Sequence, residues 1–136
     1  MASAFVIVLV GLAVGSFLNV CIDRLPAGQS LFRPRSHCAT CKTPLALRDL
    51  IPVASYLFLR GRCRYCSAPI PIRVLLVEAG TGLLFLLLWW RYGPSPEMAL
   101  VALVVCTLIV IVVIGWESRA VAGRVRRICN DTRRRG

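Results

Sequence analysis

Three long stretches nearly free of charge limit what this chain can become more than any other feature. Ala4 to Ile22 is 19 residues without a charge, Val74 to Trp90 holds only Glu78, and Met98 to Trp116 holds none. A helix rises about 1.5 Å per residue, so roughly 20 apolar residues cross a hydrocarbon layer of about 30 Å. Each stretch is close to that length. Of the 136 residues, 57% are hydrophobic and 17% are charged, too little polar surface for a water-soluble domain. The expected fold is therefore an all-α polytopic membrane protein. It has three transmembrane helices over 4–22, 74–90 and 98–116, a small zinc-ribbon-like cytoplasmic loop over 23–73, and a tail over 117–136. A cleaved signal peptide is a poorer reading of the first stretch. No Lys or Arg precedes it, and Asp23 and Arg24 follow it instead of a small-residue cleavage site. Trp89, Trp90 and Tyr92 close the second stretch as an aromatic belt. Arg91 to Glu97, with Pro94 and Pro96, reads as a tight hairpin between antiparallel helices.

The net charge of +11 is concentrated. Nine Lys or Arg residues lie in the loop from Asp23 to Arg73, seven Arg lie between Glu117 and Gly136, and only Arg91 lies in the hairpin. With three spans, the loop and the tail emerge on the same side. The positive-inside rule places that side in the cytoplasm and the N-terminus outside. Membrane lipid thereby accounts for the basic character, and nucleic acid is not an expected partner. The tail has no apolar period of helix length and is expected to be a disordered basic segment near anionic lipid.

Seven cysteines, an odd number, exclude a complete set of disulfides. Four fall in two pairs, Cys38-Ala-Thr-Cys41 and Cys63-Arg-Tyr-Cys66, with 21 residues between the pairs. Two residues between cysteines let both sulfurs meet one ion from a tight turn, and two such turns complete a tetrahedral site. Cys38, Cys41, Cys63 and Cys66 are the predicted metal ligands. Four cysteine ligands leave no open position, so this zinc is expected to be structural. It would supply folding free energy that so short a loop cannot gain by burial. Two independent redox pairs or two disulfides are the competing reading; the paired spacing and the cytoplasmic side favour zinc. Arg33, Arg35, Lys42, Arg62 and Arg64 would offset the thiolate charge. His37 reads as a polar loop residue, Cys21 and Cys106 as small apolar side chains, and Cys129 as an exposed tail thiol.

Within the spans, Gly11 and Gly15 form G-x-x-x-G and Asn19 continues their face. Glycines at this spacing allow close helix approach, and Asn19 could hydrogen-bond across the contact. The face is either a helix-packing seam or a wall of a substrate site, and the motif alone favours packing. Glu78 is a carboxylate about one turn inside a span. It needs a partner there, such as an arginine of the loop, unless it snorkels to the interface.

Taken in order, these residues resemble a known family. The series runs Gly15-Ser16-Phe17-Leu18-Asn19-Val20, Arg24-Leu25-Pro26, Arg33-Pro34-Arg35-Ser36-His37-Cys38 and Asp49-Leu50-Ile51-Pro52-Val53. It continues with Arg60-Gly61-Arg62-Cys63-Arg64-Tyr65-Cys66 and Pro69-Ile70 through Leu76-Val77-Glu78. It closely resembles the N-terminal part of bacterial prepilin peptidases over about residues 5 to 116. The resemblance implies an inner-membrane protein. Its relatives cut the leader from type IV prepilins and type II secretion pseudopilins with two aspartates, and many then N-methylate the new terminus with S-adenosylmethionine. It also implies that the four-cysteine loop belongs to the domain associated with methylation.

The chain departs from that pattern at Ile114-Gly115-Trp116-Glu117-Ser118-Arg119, where Gly115 stands at the position of the first family aspartate. The Gly-x-Gly-Asp motif of the second is not in this sequence. Cleavage needs one carboxylate to activate water and another to protonate the leaving group. Neither Asp23, Glu78 nor Glu117 has a motif linking it to a second. No catalytic residue for proteolysis is therefore assigned. The chain reads as a truncated, peptidase-inactive member retaining at most the methyltransferase half. No glycine-rich nucleotide fingerprint marks a cofactor site. The alternative is a non-catalytic zinc-binding membrane module that binds prepilin or pseudopilin leaders, or pairs with another membrane protein carrying the aspartates.

Overall fold

The computed structural model describes residues 2–32, 36–38, 40–46 and 51–135, with side chains described between 3 and 122. Among the described residues there are four helices: α1 (Ala2–Arg24), α2 (Ala54–Phe58), α3 (Ile72–Tyr92) and α4 (Pro96–Arg135). Three of them are long and apolar enough to cross a membrane, over Ser3–Arg24, Ile72–Tyr92 and Pro96–Ala122. Among the described residues no β-strand forms, only isolated bridges in the loop.

Local chemistry sets the helix ends. Pro26 cannot donate a helical hydrogen bond, and α1 gives way to a turn closed by Gly28 N–H to the Leu25 carbonyl at 3.1 Å. The buried Arg24 side chain folds over this turn and donates to the carbonyls of Ser30 and Leu31 at 2.8 and 3.2 Å. α3 stops at Gly93, whose φ of 60° suits glycine and whose N–H reaches the Trp89 carbonyl at 2.9 Å. Two residues later Ser95 Oγ accepts from Met98 N–H at 3.3 Å, capping α4, which opens on Pro96. The expected hairpin therefore shrinks to Gly93–Ser95, and the helices begin earlier and run slightly further than the charge-free stretches.

One expectation is overturned. The tail is not a coil: α4 continues unbroken to Arg135, a 40-residue helix of about 60 Å. The residues after Trp116 lack proline, and arginine and alanine extend a nucleated helix at little cost. The Cys129 side chain lies outside the described residues. α2, inside the loop, was also not expected.

α1 and α3 form the closest pair. A Cβ on Gly15 would come 2.8 Å from Glu78 Cα and 3.1 Å from the Val77 carbonyl oxygen. A Cβ on Gly11 would come 2.9 Å from Gly82 Cα, and one on Gly82 would come 2.8 Å from Leu12 Cδ2. With lipid tails as apolar as leucine, backbone proximity and van der Waals contact hold such helices together. Thr81, fully buried at this seam, bonds its own helix at the Val77 carbonyl. α4 joins through a core of Leu18, Cys21, Ile22, Val77, Cys106 and Val110. Cys21 and Cys106 are thus the small apolar fillers expected. A second cluster, Leu88, Met98 and Ala102, lies toward the α3–α4 turn.

Gly80 and Gly115 differ from the seam glycines, since an added Cβ there meets nothing within 4 Å. Gly15→Ala should therefore destabilise the bundle by about 1–3 kcal/mol through overpacking, while Gly115→Ala should be neutral or slightly stabilising. Melting temperatures of the two variants in one detergent check this. Equal values would show that α1 and α3 do not meet at Gly15.

Candidate metal centre and adjoining cavity

The loop contains the same eight-residue unit twice. Residues 37–44 and 62–69 both read x-Cys-x-x-Cys-x-x-Pro. Their backbones fold alike where described. Cys38 N–H reaches the Thr43 carbonyl at 3.0 Å, and Cys63 N–H reaches that of Ala68 at 2.8 Å. Lys42 N–H returns to the Cys38 carbonyl at 3.0 Å, and Ser67 N–H to that of Cys63 at 2.9 Å. Both turns pass through a positive φ, 58° at Lys42 and 57° at Ser67. Each is closed by one bridge, His37 to Pro44 and Arg62 to Pro69. The repeat was readable in the sequence from the two prolines three residues past each pair.

The two units bring together the four predicted ligands. The Sγ atoms of Cys38, Cys41, Cys63 and Cys66 all lie within 4.8 Å of one another. Cys38 Sγ and Cys66 Sγ are 3.8 Å apart. Tetrahedral zinc with Zn–S bonds of about 2.3 Å separates sulfurs by roughly 3.8 Å, whereas a disulfide needs about 2.05 Å. The cysteines are free thiols. Spacing and donor type thus fit a four-thiolate zinc site and do not fit two disulfides. His37 is exposed and not among the converging groups, as expected.

The sulfurs differ in proton affinity. Backbone N–H groups of Cys41 and Thr40 hold the Cys38 thiol down at about 6. The Thr43 hydroxyl and backbone lower that of Cys41. At Cys66 the Ala68 N–H favours the thiolate, but desolvation and the three neighbouring sulfurs outweigh it and push the thiol up to about 11. Four thiolates cannot share so small a space without a cation, which is what a divalent metal would supply. Lys42, Arg62 and Arg64 are exposed around the site, while Arg33 and Arg35 lie outside the described residues.

The cysteine cluster adjoins a cavity of about 490 Å³, lined by Cys38 and Cys63 on one side and by Asn19, Arg73 and Glu78 on the other. Asn19 and Glu78, two of the candidate site residues of the spans, therefore line one cavity. Asn19, 6% exposed, donates from Nδ2 to the Val74 carbonyl at 3.1 Å, tying α1 to α3. The face of Gly11, Gly15 and Asn19 is thus both a packing seam and a cavity wall. Glu78, also 6% exposed, does not snorkel. Among the described residues its partner is not an arginine. Its Oε2 accepts from the backbone N–H of Val53 at 2.7 Å, a short charge-assisted bond.

Val53 sits at φ 59°, ψ −49°, and Ala54 N–H reaches back to the Pro52 carbonyl at 2.5 Å. This is a tight γ-turn with positive φ, strained for any side chain and more so for a β-branched one. α2 starts directly after it, so Glu78 anchors the loop helix to the span. Further along, Tyr56 Oη donates to the Ile70 carbonyl at 3.4 Å and fills the space beside Gly61.

Arg73 was missed in the sequence reading. Its Nη2 donates to Asp23 Oδ1 at 2.6 Å, and its Nε lies 2.9 Å from Glu117 Oε1. The second contact is an ion pair by distance without hydrogen-bond alignment. Arg73 therefore bridges the carboxylates of Asp23 and Glu117.

Comparison with known proteins bears on these residues directly. Residues 9–92 match the family profile described as "Bacterial Peptidase A24 N-terminal domain". A "Prepilin leader peptidase/N-methyltransferase" of Myxococcus xanthus is 50% identical over 99 residues, covering 70% of this chain and 30% of that protein. One of Klebsiella pneumoniae is 42% identical over 115 residues, covering 80% and 50%. A "Type 4 prepilin-like proteins leader peptide-processing enzyme" of Escherichia coli is 45% identical over 95 residues, covering 57% and 35%. The chain thus spans between about a third and a half of these curated relatives. No solved structure matches it.

Elemental analysis of purified chain should find about one zinc per molecule, and Cys38→Ser or Cys63→Ser should lose most of it. Because α1, α3 and α4 pack independently of the sulfurs, helical content should fall only slightly in those variants. Metal-free chain with four unmodified thiols would overturn the assignment.

Proposed function

We propose, from the chain's membership of the bacterial peptidase A24 N-terminal domain family, that it carries the methyl-transfer half of prepilin processing and not the cleavage half. It sits in the bacterial inner membrane with the four-cysteine loop and the C-terminal basic helix cytoplasmic. The loop holds one structural zinc. Its substrates are the amino-terminal regions of type IV prepilins or type II secretion pseudopilins. The observation that carries this reading is the buried Glu78 carboxylate, held by Val53 and lining a cavity between the spans and the cysteine loop.

That cavity is in the size range of cofactor sites. S-adenosylmethionine, when bound, supplies an electrophilic methyl group. The chain's own part is to present an amine to it and to remove the amine's proton. An α-amino group has a pKa near 8 in water, so it arrives mostly protonated and must lose that proton to act as a nucleophile. Glu78 is a buried carboxylate at the cavity wall, able to hold the ammonium and accept its proton. Val53 N–H fixes one of its oxygens. Zinc would keep the cavity's cytoplasmic wall folded.

We assign no carboxylate pair for peptide-bond hydrolysis among the described residues. Gly115 stands where the family resemblance places the first, and Glu117 is paired to Arg73. A second reading is a non-catalytic module that pairs with another membrane protein. The open face of α4 at Gly115, where an added Cβ meets nothing within 4 Å, leaves room for such a partner. Co-purification with a full-length peptidase tests that reading, and failure to retain one counts against it.

Zinc-loaded chain under reducing conditions should transfer label from S-adenosylmethionine to a pilin already trimmed to its free terminus. Glu78→Gln, which keeps the Val53 contact but loses the base, should lower transfer by about 100-fold. Uncleaved prepilin should remain intact. Absence of label transfer by the wild-type chain overturns the enzymatic reading.

A further inference from the structure

We infer that α2 is an interfacial membrane anchor. Ile51, Leu57 and Phe58 rest in the boundary layer of the bilayer beside the mouth of α3, with lipid on the outer side of α2 and the cavity on its inner side. The anchor is independent of methyl transfer.

The hydrogen bonds of the loop fix the height of α2. Val53, the residue before α2, donates its N–H to Glu78 Oε2 at 2.7 Å. Glu78 lies six residues past Ile72, where α3 begins, which is about 9 Å along the helix axis. The turn that starts α2 is therefore drawn down beside the first turns of the span. Further along α2, Tyr56 Oη donates to the carbonyl of Ile70, two residues before α3 begins. α2 thus runs alongside the opening turns of α3, at the level where hydrocarbon gives way to headgroups.

α2 has two unlike sides. Ser55, Tyr56 and the following Leu59 line the cavity. Leu57 and Phe58 do not; they are 61% and 86% exposed, and Ile51, just before the turn, is exposed as well. Three large apolar side chains so close together make a poor surface toward water and a good one toward lipid. On α3, Ile72 and Leu76, one turn apart, are exposed at the same level, so the apolar side of α2 stands beside an apolar stripe of the span. Arg60, exposed two residues after Phe58, can extend from this level to lipid phosphate while its stem lies on apolar surface. A soluble partner would have to reach down to the headgroups to cover Leu57 and Phe58. The bilayer crossed by the three long helices is already there. Seated in lipid, α2 resists withdrawal of Val53 from Glu78, so the bilayer shares in holding the strained turn.

Fluorescence quenching in phosphatidylcholine vesicles tests the anchor. The full chain is used, with Trp89, Trp90 and Trp116 replaced by phenylalanine and one tryptophan introduced as Phe58→Trp, Leu57→Trp or Tyr65→Trp. Tyr65 lies between the paired cysteines of the second unit and is the aqueous control. Phe58→Trp and Leu57→Trp should be quenched at least about twofold more by lipid brominated high on the acyl chain than by lipid brominated near its end, as befits an interfacial depth. Both should be shielded from aqueous iodide, and Tyr65→Trp should show iodide quenching and little bromolipid quenching. Zinc content reports folding, and if Phe58→Trp fails to bind zinc, Leu57→Trp decides alone. Iodide quenching as strong as at Tyr65→Trp overturns the inference. Shielding from both quenchers also overturns it, since a protein surface or a second copy would then cover α2. In the same vesicles, Phe58→Ser should speed amide exchange over residues 53–56 by about tenfold relative to Phe58→Leu, and equal exchange would overturn the coupling of the anchor to the Val53 turn.

Discussion

At Gly15 the backbone of α1 comes so close to α3 that a single added carbon would strike Glu78 Cα. The polar groups where the spans meet the loop depend on that approach. It brings Asn19, one helical turn beyond Gly15, to the carbonyl of Val74 near the start of α3. It also leaves Glu78 buried where a carboxylate is expensive unless its hydrogen bonds are supplied. The seam is therefore a packing device and a means of placing chemistry. With a larger residue at 15 the helices would stand further apart, and the Asn19 amide would lose its anchor across the seam.

The loop depends on the spans in turn. It is too short to form a core, and it is held by a few specific contacts. Glu78 accepts from Val53, Arg24 folds over the first turn of the loop, and Arg73 joins Asp23 at the end of α1 to Glu117 on α4. The strained turn at Val53 persists because a buried carboxylate fixes its N–H. Metal binding at the four sulfurs would rigidify the far side of the same loop. Two unlike anchors, a carboxylate below and a thiolate cluster above, thus define the cavity between them.

The parts legible in the sequence are those in which side-chain type alone carries the information. Runs without charge mark spans, and paired cysteines mark a metal site whatever their surroundings. Glu78 was legible as an anomaly, but its described partner was not, because a backbone N–H belongs to nearly every residue and leaves no trace in composition. Arg73 was hidden for a related reason. It is one of nine basic residues in the loop, and only the fold distinguishes the one aimed at Asp23 from those facing solvent. The tail misled because arginine is compatible with both coil and helix. Its helicity follows from continuity with α4, a property of the neighbouring segment and not of its own pattern.

The division of labour among the helices bears on what a chain of this extent can do. The described lining of the cavity comes from α1, the loop and the first two turns of α3, and none of it comes from α4. The same region falls within residues 9–92, the part that matches the family profile. α4 contributes apolar cover at Cys106 and Val110 and one ion pair at Glu117, and its face at Gly115 is open. The cavity thus draws on α1, α3 and the loop, and the open face of α4 plays no part in lining it.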